Sequence, residues 1–167
     1  CQRIRQFLEE EPNLLLRDNV KMHFTASAWV LNPSKNKVLM LYHNIYQSWS
    51  WSGGHADGEG DLLSVAMKEV KEESGLVSLK PLSDSPISIE ILGVQPHYKK
   101  QKYVSAHLHL NYTFLLHNTK EEKLKICPEE NSKVGWLSPD EAVRSSTEAW
   151  MKPIYKKLNQ KMRKYLG

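Results

Sequence analysis

Three carboxylates in one short segment, Glu69, Glu72 and Glu73, stand at i, i+3 and i+4, the spacing of a shared helix face. Leu63, Ala66, Met67 and Val70 take the adjacent sector, so one helix can bury an apolar side and aim three acids along its edge. Like charges this close repel, which raises their pKa values and weakens the helix unless a cation lies among them. A hard divalent cation resolves the conflict. Mg²⁺ favours oxygen ligands, keeps several waters and binds phosphates beside carboxylates, with Mn²⁺ as a substitute. The same Lys68-Glu69-Val70-Lys71-Glu72-Glu73 run also reads as a solvated face laced with Lys pairs. The preceding Gly53-Gly54-His55-Ala56-Asp57-Gly58-Glu59-Gly60-Asp61 stretch favours the cation, because a glycine-rich backbone can approach a ligand closely.

The elements that position these acids follow from local signals. Asp61 is an N-cap candidate and Gly75 stands where a left-handed turn ends a helix, so a helix is expected over 61–74. A short helix is expected over 2–10, within an N-terminal helical extension of residues 1–20. From Lys21 to Leu31, Phe24, Ala26, Ala28 and Val30 alternate with His23, Thr25 and Ser27, the period of a strand with two different faces. Lys37 to His43 is apolar on both faces, as in mid-sheet, and is expected to pair with the previous strand as a hairpin across Asn32–Asn36. Further strands are expected over 87–95, 104–116, 123–127 and 134–137. Ser138-Pro139-Asp140-Glu141 is a capping box that starts a helix, and Ile154, Tyr155, Leu158, Met162 and Tyr165 form the stripe of another over 153–166. Strands mixed with helices imply an α/β or α+β sandwich, a mixed sheet flanked by helices.

The chain of 167 residues suits one domain over 1–167, with 40% hydrophobic and 25% charged residues. No apolar run approaches the length that spans a bilayer. Two cysteines, Cys1 and Cys127, make no disulfide framework and fit a reducing, cytoplasmic setting. The net charge of +4 permits attraction to phosphates but is far from that of a dedicated nucleic-acid binder, and the basic C-terminal helix reads as a surface helix. Oligomeric state stays open, a homodimer included.

Gly54 to Leu76, GHADGEGDLLSVAMKEVKEESGL, resembles the signature box of the Nudix (MutT-like) hydrolases, G-x5-E-x7-R-E-U-x-E-E-x-G-U with U a bulky aliphatic residue. Gly54, Glu69, Val70, Glu72, Glu73, Gly75 and Leu76 set the register; Gly60 replaces the first Glu, Lys68 the Arg, and Ser52 a frequent Pro. The Trp-rich approach at Trp49 and Trp51, and the run at 129–141 before a final helix, are similar to the family's layout over residues 20–165. The resemblance implies a Nudix-like α/β/α sandwich and hydrolysis of a nucleoside diphosphate linked to another group. It further implies that Glu69, Glu72 and Glu73 hold the cation, with the Gly54 carbonyl as a further ligand. Lys68 lacks the planar fork of the Arg, and Asp57, Glu59 or Asp61 is left to replace the missing Glu.

Glu73, a carboxylate beside the cation, is one catalytic candidate, and the resemblance implies another, an acid on a loop after the box, Glu129 or Glu130. Substrate-binding candidates are His55, His107, His109, Trp49, Trp51 and Lys68. His107 and His109, at i and i+2 on a strand, can contact phosphate or a metal, or be hydrogen-bonded on an open sheet face; a zinc site lacks an obvious third ligand. Trp49 and Trp51 can stack a base or pack the core. The rival to an enzyme is a Nudix-fold nucleotide-binding or regulatory module that has lost hydrolysis, favoured by Gly60, Lys68 and Ser52. The isomerase branch of the fold relies on a catalytic Cys, and Cys1 and Cys127 are the sole candidates.

Overall fold

The computed structural model describes residues 2–99 and 101–167, so Cys1 and Lys100 lie outside the described residues. At the centre of the sheet, β1 (Met22–Leu31) runs parallel to β9 (His107–Asn118), in register from Met22 opposite Leu108 to Leu31 opposite His117. The other edge of β1 is divided. Its middle, Thr25 to Ala28, pairs antiparallel with β4 (Ser52–His55), and its last residue, Leu31, meets Val38 of β2 (Val38–His43). The expected hairpin is therefore confined to one register pair. β2 turns its length instead to β10 (Asn131–Leu137) and β3 (Ser48–Ser50). β5 (Leu79–Pro81) and β6 (Ser88–Val94) both pair with β9, and β7 (His97–Lys99) with β8 (Lys102–Val104) forms a separate ribbon.

Helices cover both faces. α2 (Leu62–Ser74) lays Val65, Ala66 and Val70 on Ala26, Ala28, Val30, Leu39, Phe114 and Leu116. On the other face α3 (Pro139–Ser145) and α4 (Met151–Leu166) supply Ala142, Val143, Met151, Tyr155, Leu158 and Met162 to Trp29, Leu31, Val38, Met40 and Leu115. The rings of Trp29 and Tyr155 stack at 5.4 Å between centroids. α1 (Gln2–Glu10) brings Phe7 to a third cluster with Leu14, Phe24 and Leu110.

The capping box at Ser138 is formed, with both reciprocal hydrogen bonds, and α3 starts at its proline. The polar face of β1 is buried like the apolar one. Thr25 and Ser27 donate to Asn111 Oδ1 at 2.9 and 2.8 Å, and Asn111 Nδ2 donates to Thr113 at 3.1 Å. Thr113 in turn donates to Glu90 at 3.3 Å, whose Oε1 lies 2.5 Å from Lys157 Nζ on α4. This ladder satisfies polar groups that burial alone would penalise.

Three expectations need correction. The strand expected over 104–116 begins at His107 and runs to Asn118, because Val104 belongs to the β7–β8 ribbon. Residues 123–127 form no strand: Lys125 N donates to Ser74 O at 2.8 Å, and its side chain lies over Gly75, so the segment closes the end of α2 rather than joining a sheet edge. The final helix begins at Met151, two residues before Pro153, which suits the first turn of a helix because proline has no N–H to lose there.

Candidate active site

The ends of α2 are set locally. Asp61 Oδ1 accepts from Leu63 N and Ser64 N at 3.1 and 3.2 Å, and Ser64 Oγ donates to Oδ2 at 2.6 Å. The Ser64 hydroxyl, helped by these backbone donors, holds the Asp61 carboxyl below its usual range. At the other end Gly75 takes a φ of 74° and its N–H donates to Lys71 O. Between these caps the apolar stripe faces the sheet, and that orientation distributes the three glutamates unequally. Glu73 is 6% exposed, whereas Glu72 lies on the open side with Lys68 Nζ 3.4 Å away.

Glu73 and Glu69 sit beneath β4. Ser52 Oγ donates to Glu73 Oε2 at 2.5 Å and Gly53 N donates to the same oxygen at 3.2 Å. Burial pushes the Glu73 carboxyl up to about 8; the Ser52 and Gly53 donors oppose the rise, and the charges of Glu69 and Glu130 add to it. Glu69 is also raised, first by burial, with Lys68 opposing and Glu72, Glu130 and Asp57 reinforcing. A Cβ on Gly54 would fall 2.3 Å from Glu69 Cδ, so the Glu69 carboxylate fills the space that a side chain at 54 would need. A buried and a half-buried acid that repel one another, the second pressed against bare backbone, fit a bound divalent cation.

The loop before β10 brings the later acids in. Asn131 is buried and its Nδ2 donates to Glu73 O at 3.0 Å, while Asn44 N donates to Glu130 O at 3.0 Å. Glu130 thereby lies close enough to raise both Glu69 and Glu73, and Glu129 is exposed. The sequence reading missed Asn131 as a support and noted Ser52 only as a departure from a frequent Pro; for Asn131, far from the box in sequence, no local signal was available.

The candidates to replace the absent box Glu are occupied elsewhere. Asp57 takes Arg17 Nε and Nη2 at 2.6 and 2.5 Å, Glu59 accepts from Asp61 N at 2.8 Å, and Asp61 caps α2. A Cβ at Gly60 would meet nothing within 4 Å.

His55, His107 and His109 come together with His23, which sequence reasoning left as one polar residue of a strand. Burial pushes the His109 imidazole down to about 2, with His55, His23 and His107 adding to the shift; burial also lowers His23. Trp49 and Trp51 pack on the α4-side core, edge to face with Tyr42 and Tyr155 at 5.8 and 5.6 Å.

A mixed sheet between helices carries Glu69 and Glu73 under a glycine loop, an arrangement suited to metal-assisted hydrolysis. The NUDIX domain family model matches residues 21–158, and the chain belongs to the Nudix family. An Ap4A hydrolase of C. elegans in a binary complex superposes with a TM-score of 0.62 at 18% identity, covering 82% of this chain and 95% of that one. A Nudix family hydrolase from Clostridium perfringens gives a TM-score of 0.61 at 17% identity, over 84% and 96% of the two chains. The E. coli dihydroneopterin triphosphate pyrophosphohydrolase gives 0.59 at 16% identity, over 80% and 92%. At these identities the likeness is one of fold. No curated protein sequence matches the chain. No helix among the described residues is long and apolar enough to cross a membrane.

Proposed function

We propose that the protein is a Mg²⁺-dependent Nudix hydrolase that cleaves the pyrophosphate bond of a nucleoside diphosphate linked to another group, by attack of water on phosphorus. The observation that carries this reading is the pressing of the Glu69 carboxylate against the Gly54 backbone beside the buried Glu73. Glu69, Glu73 and the Gly54 carbonyl would hold the cation, with Glu72 at the open side. When bound, Mg²⁺ supplies the positive charge that a pyrophosphate needs near an incoming nucleophile. Lys68, paired with Glu72, keeps one cation at the rim of the site. Glu130 or Glu73 accepts the proton of the attacking water: the loop before β10 brings Glu130 near the helical acids, and Glu73 lies buried against Ser52 and Gly53. The hydrolase structures that share this fold include one named for Ap4A and one for dihydroneopterin triphosphate, which supports a nucleotide-type or pterin-type polyphosphate substrate.

The test is a panel of dinucleoside polyphosphates, nucleotide sugars and nucleoside triphosphates with Mg²⁺, read as released phosphate-containing products and compared with Glu73→Gln. Turnover abolished by that change supports the reading. Tight binding of a nucleotide without consumption by the wild type would establish instead the non-hydrolytic module.

A further inference from the structure

Four histidines from three neighbouring strands meet at one end of the sheet. His23 stands on β1, His55 on β4, and His107 and His109 on β9, with His23 directly opposite His109 in the parallel register. The β pleat alternates side chains between faces, so His55, next to Gly54, projects away from the face on which Gly54 meets Glu69. This cluster is therefore separate from the box acids.

Its geometry is that of ligands around a point. One nitrogen from each of His23, His55 and His109 can be chosen so that all lie within 4.8 Å of one another. Five pairs among the four rings have centroids between 4.9 and 5.1 Å apart. Four imidazoles on one zinc ion, at metal–nitrogen distances of about 2.0–2.1 Å, place neighbouring nitrogens about 3.4 Å and ring centroids about 5 Å apart. His107 Nε2 and His109 Nε2 are 3.1 Å apart.

The outer hydrogen bonds select the ligand form. His107 Nδ1 lies 2.8 Å from Ser105 O and His23 Nδ1 lies 3.1 Å from Asn19 O, so each Nδ1 carries the proton and each Nε2 a lone pair. Backbone carbonyls orient zinc-bound imidazoles in this way. In a metal-free cluster one shared proton would satisfy the His107–His109 pair, but it leaves His23 unexplained. His23 is 4% exposed and its Nε2 has no hydrogen-bond partner among the described residues. A buried lone pair without a donor is costly, and a metal ion removes that cost.

We propose that His23, His55 and His109, with His107 as fourth ligand, form a tetrahedral Zn²⁺ site that staples β1, β4 and β9 together on the face of the sheet opposite the box acids. The all-imidazole donor set suits a borderline ion such as Zn²⁺ and discriminates against Mg²⁺, which prefers oxygen.

The test uses the full chain, stripped with a chelator and returned to saturating Mg²⁺, then titrated with ZnCl2 by calorimetry and with CoCl2 by visible absorption. One equivalent of Zn²⁺ should bind despite the Mg²⁺, with a rise in melting temperature, and Co²⁺ should give the intense bands of a tetrahedral nitrogen site. His109→Gln and His23→Gln should each weaken Zn²⁺ binding at least about tenfold while Glu73→Gln leaves it unchanged. The cobalt spectrum of the wild type reads the site without any variant, which covers the case of a substitution that fails to fold. Absence of stoichiometric Zn²⁺ uptake, an octahedral cobalt spectrum, or loss of uptake in Glu73→Gln with retention in His109→Gln would each overturn the proposal.

Discussion

Ser52 Oγ lies 2.5 Å from Glu73 Oε2, so the residue that departs from a frequent proline in the approach to the box is a hydrogen-bond donor to the most deeply buried acid of the site. The donor stabilises the carboxylate against a burial that favours the neutral acid. Ser52→Ala should make the Glu73 proton harder to displace, raising the Mg²⁺ concentration for half-maximal activity several-fold at pH 7 and by less at pH 9. Mg²⁺ titrations of the rate at the two pH values check this; identical curves for variant and wild type would remove Ser52 from the account.

The three helical acids should not contribute equally. Glu73 is buried and Glu72 is on the open side with Lys68. Glu73→Gln should lower kcat/KM about 100-fold or more, and Glu72→Gln by no more than about tenfold. Steady-state rates of both variants at saturating Mg²⁺ decide the ranking, and the reverse order would refute it.

Gly54→Ala puts a methyl group where the Glu69 carboxylate now lies, 2.3 Å from its carbon. The obstacle is the far end of a flexible side chain, so the fold should lose no more than about 1 kcal/mol, while the displaced acid costs about tenfold or more in Mg²⁺-dependent activity. Thermal melts together with rate measurements separate the two effects.

Glu73 also makes a pH signature. Its folded pKa of about 8 lies above the unfolded value of 4.5, so between these the native state binds more protons than the unfolded one. The stability from this group is fully present below the unfolded value and is lost as pH rises through about 8. In chelator the melting temperature should fall across that window; Glu73→Gln should flatten the fall, and Mg²⁺ should reduce it by favouring the carboxylate. A wild-type profile that rises with pH there and matches that of the variant would contradict the sign.

On the opposite face, Glu90 is 7% exposed and reaches Lys157 Nζ at 2.5 Å. Lys157→Met removes its cationic partner and should cost about 1–3 kcal/mol, read by urea denaturation. The double variant with Glu90→Gln should recover part of that loss.

Local chemistry made α2 legible: Asp61 and Gly75 set its ends, and 3.6 residues per turn put Glu69 and Glu73 on one edge with no help from the rest of the chain. The capping box at Ser138 was legible for the same reason, since donor and acceptor are neighbours in sequence. The i, i+2 spacing of His107 and His109 likewise put both on one face of a strand. Segment 123–127 misled because short apolar alternation suits an extended closing segment as well as a strand, and only its docking on Ser74 and Gly75 distinguishes them.

What only the tertiary structure decided were the meetings of distant strands. A period of two says which side chains share a face but not which strand lies alongside or in which register, and one residue of slip would turn every side chain over. The parallel pairing of β1 with β9 sets His23 opposite His109, and the antiparallel return of β4 brings His55 to both and Ser52 to Glu73. Helix caps and helix phase are short-range energies carried by the residues themselves, whereas strand neighbours are chosen by the packing of the whole sheet between its helices.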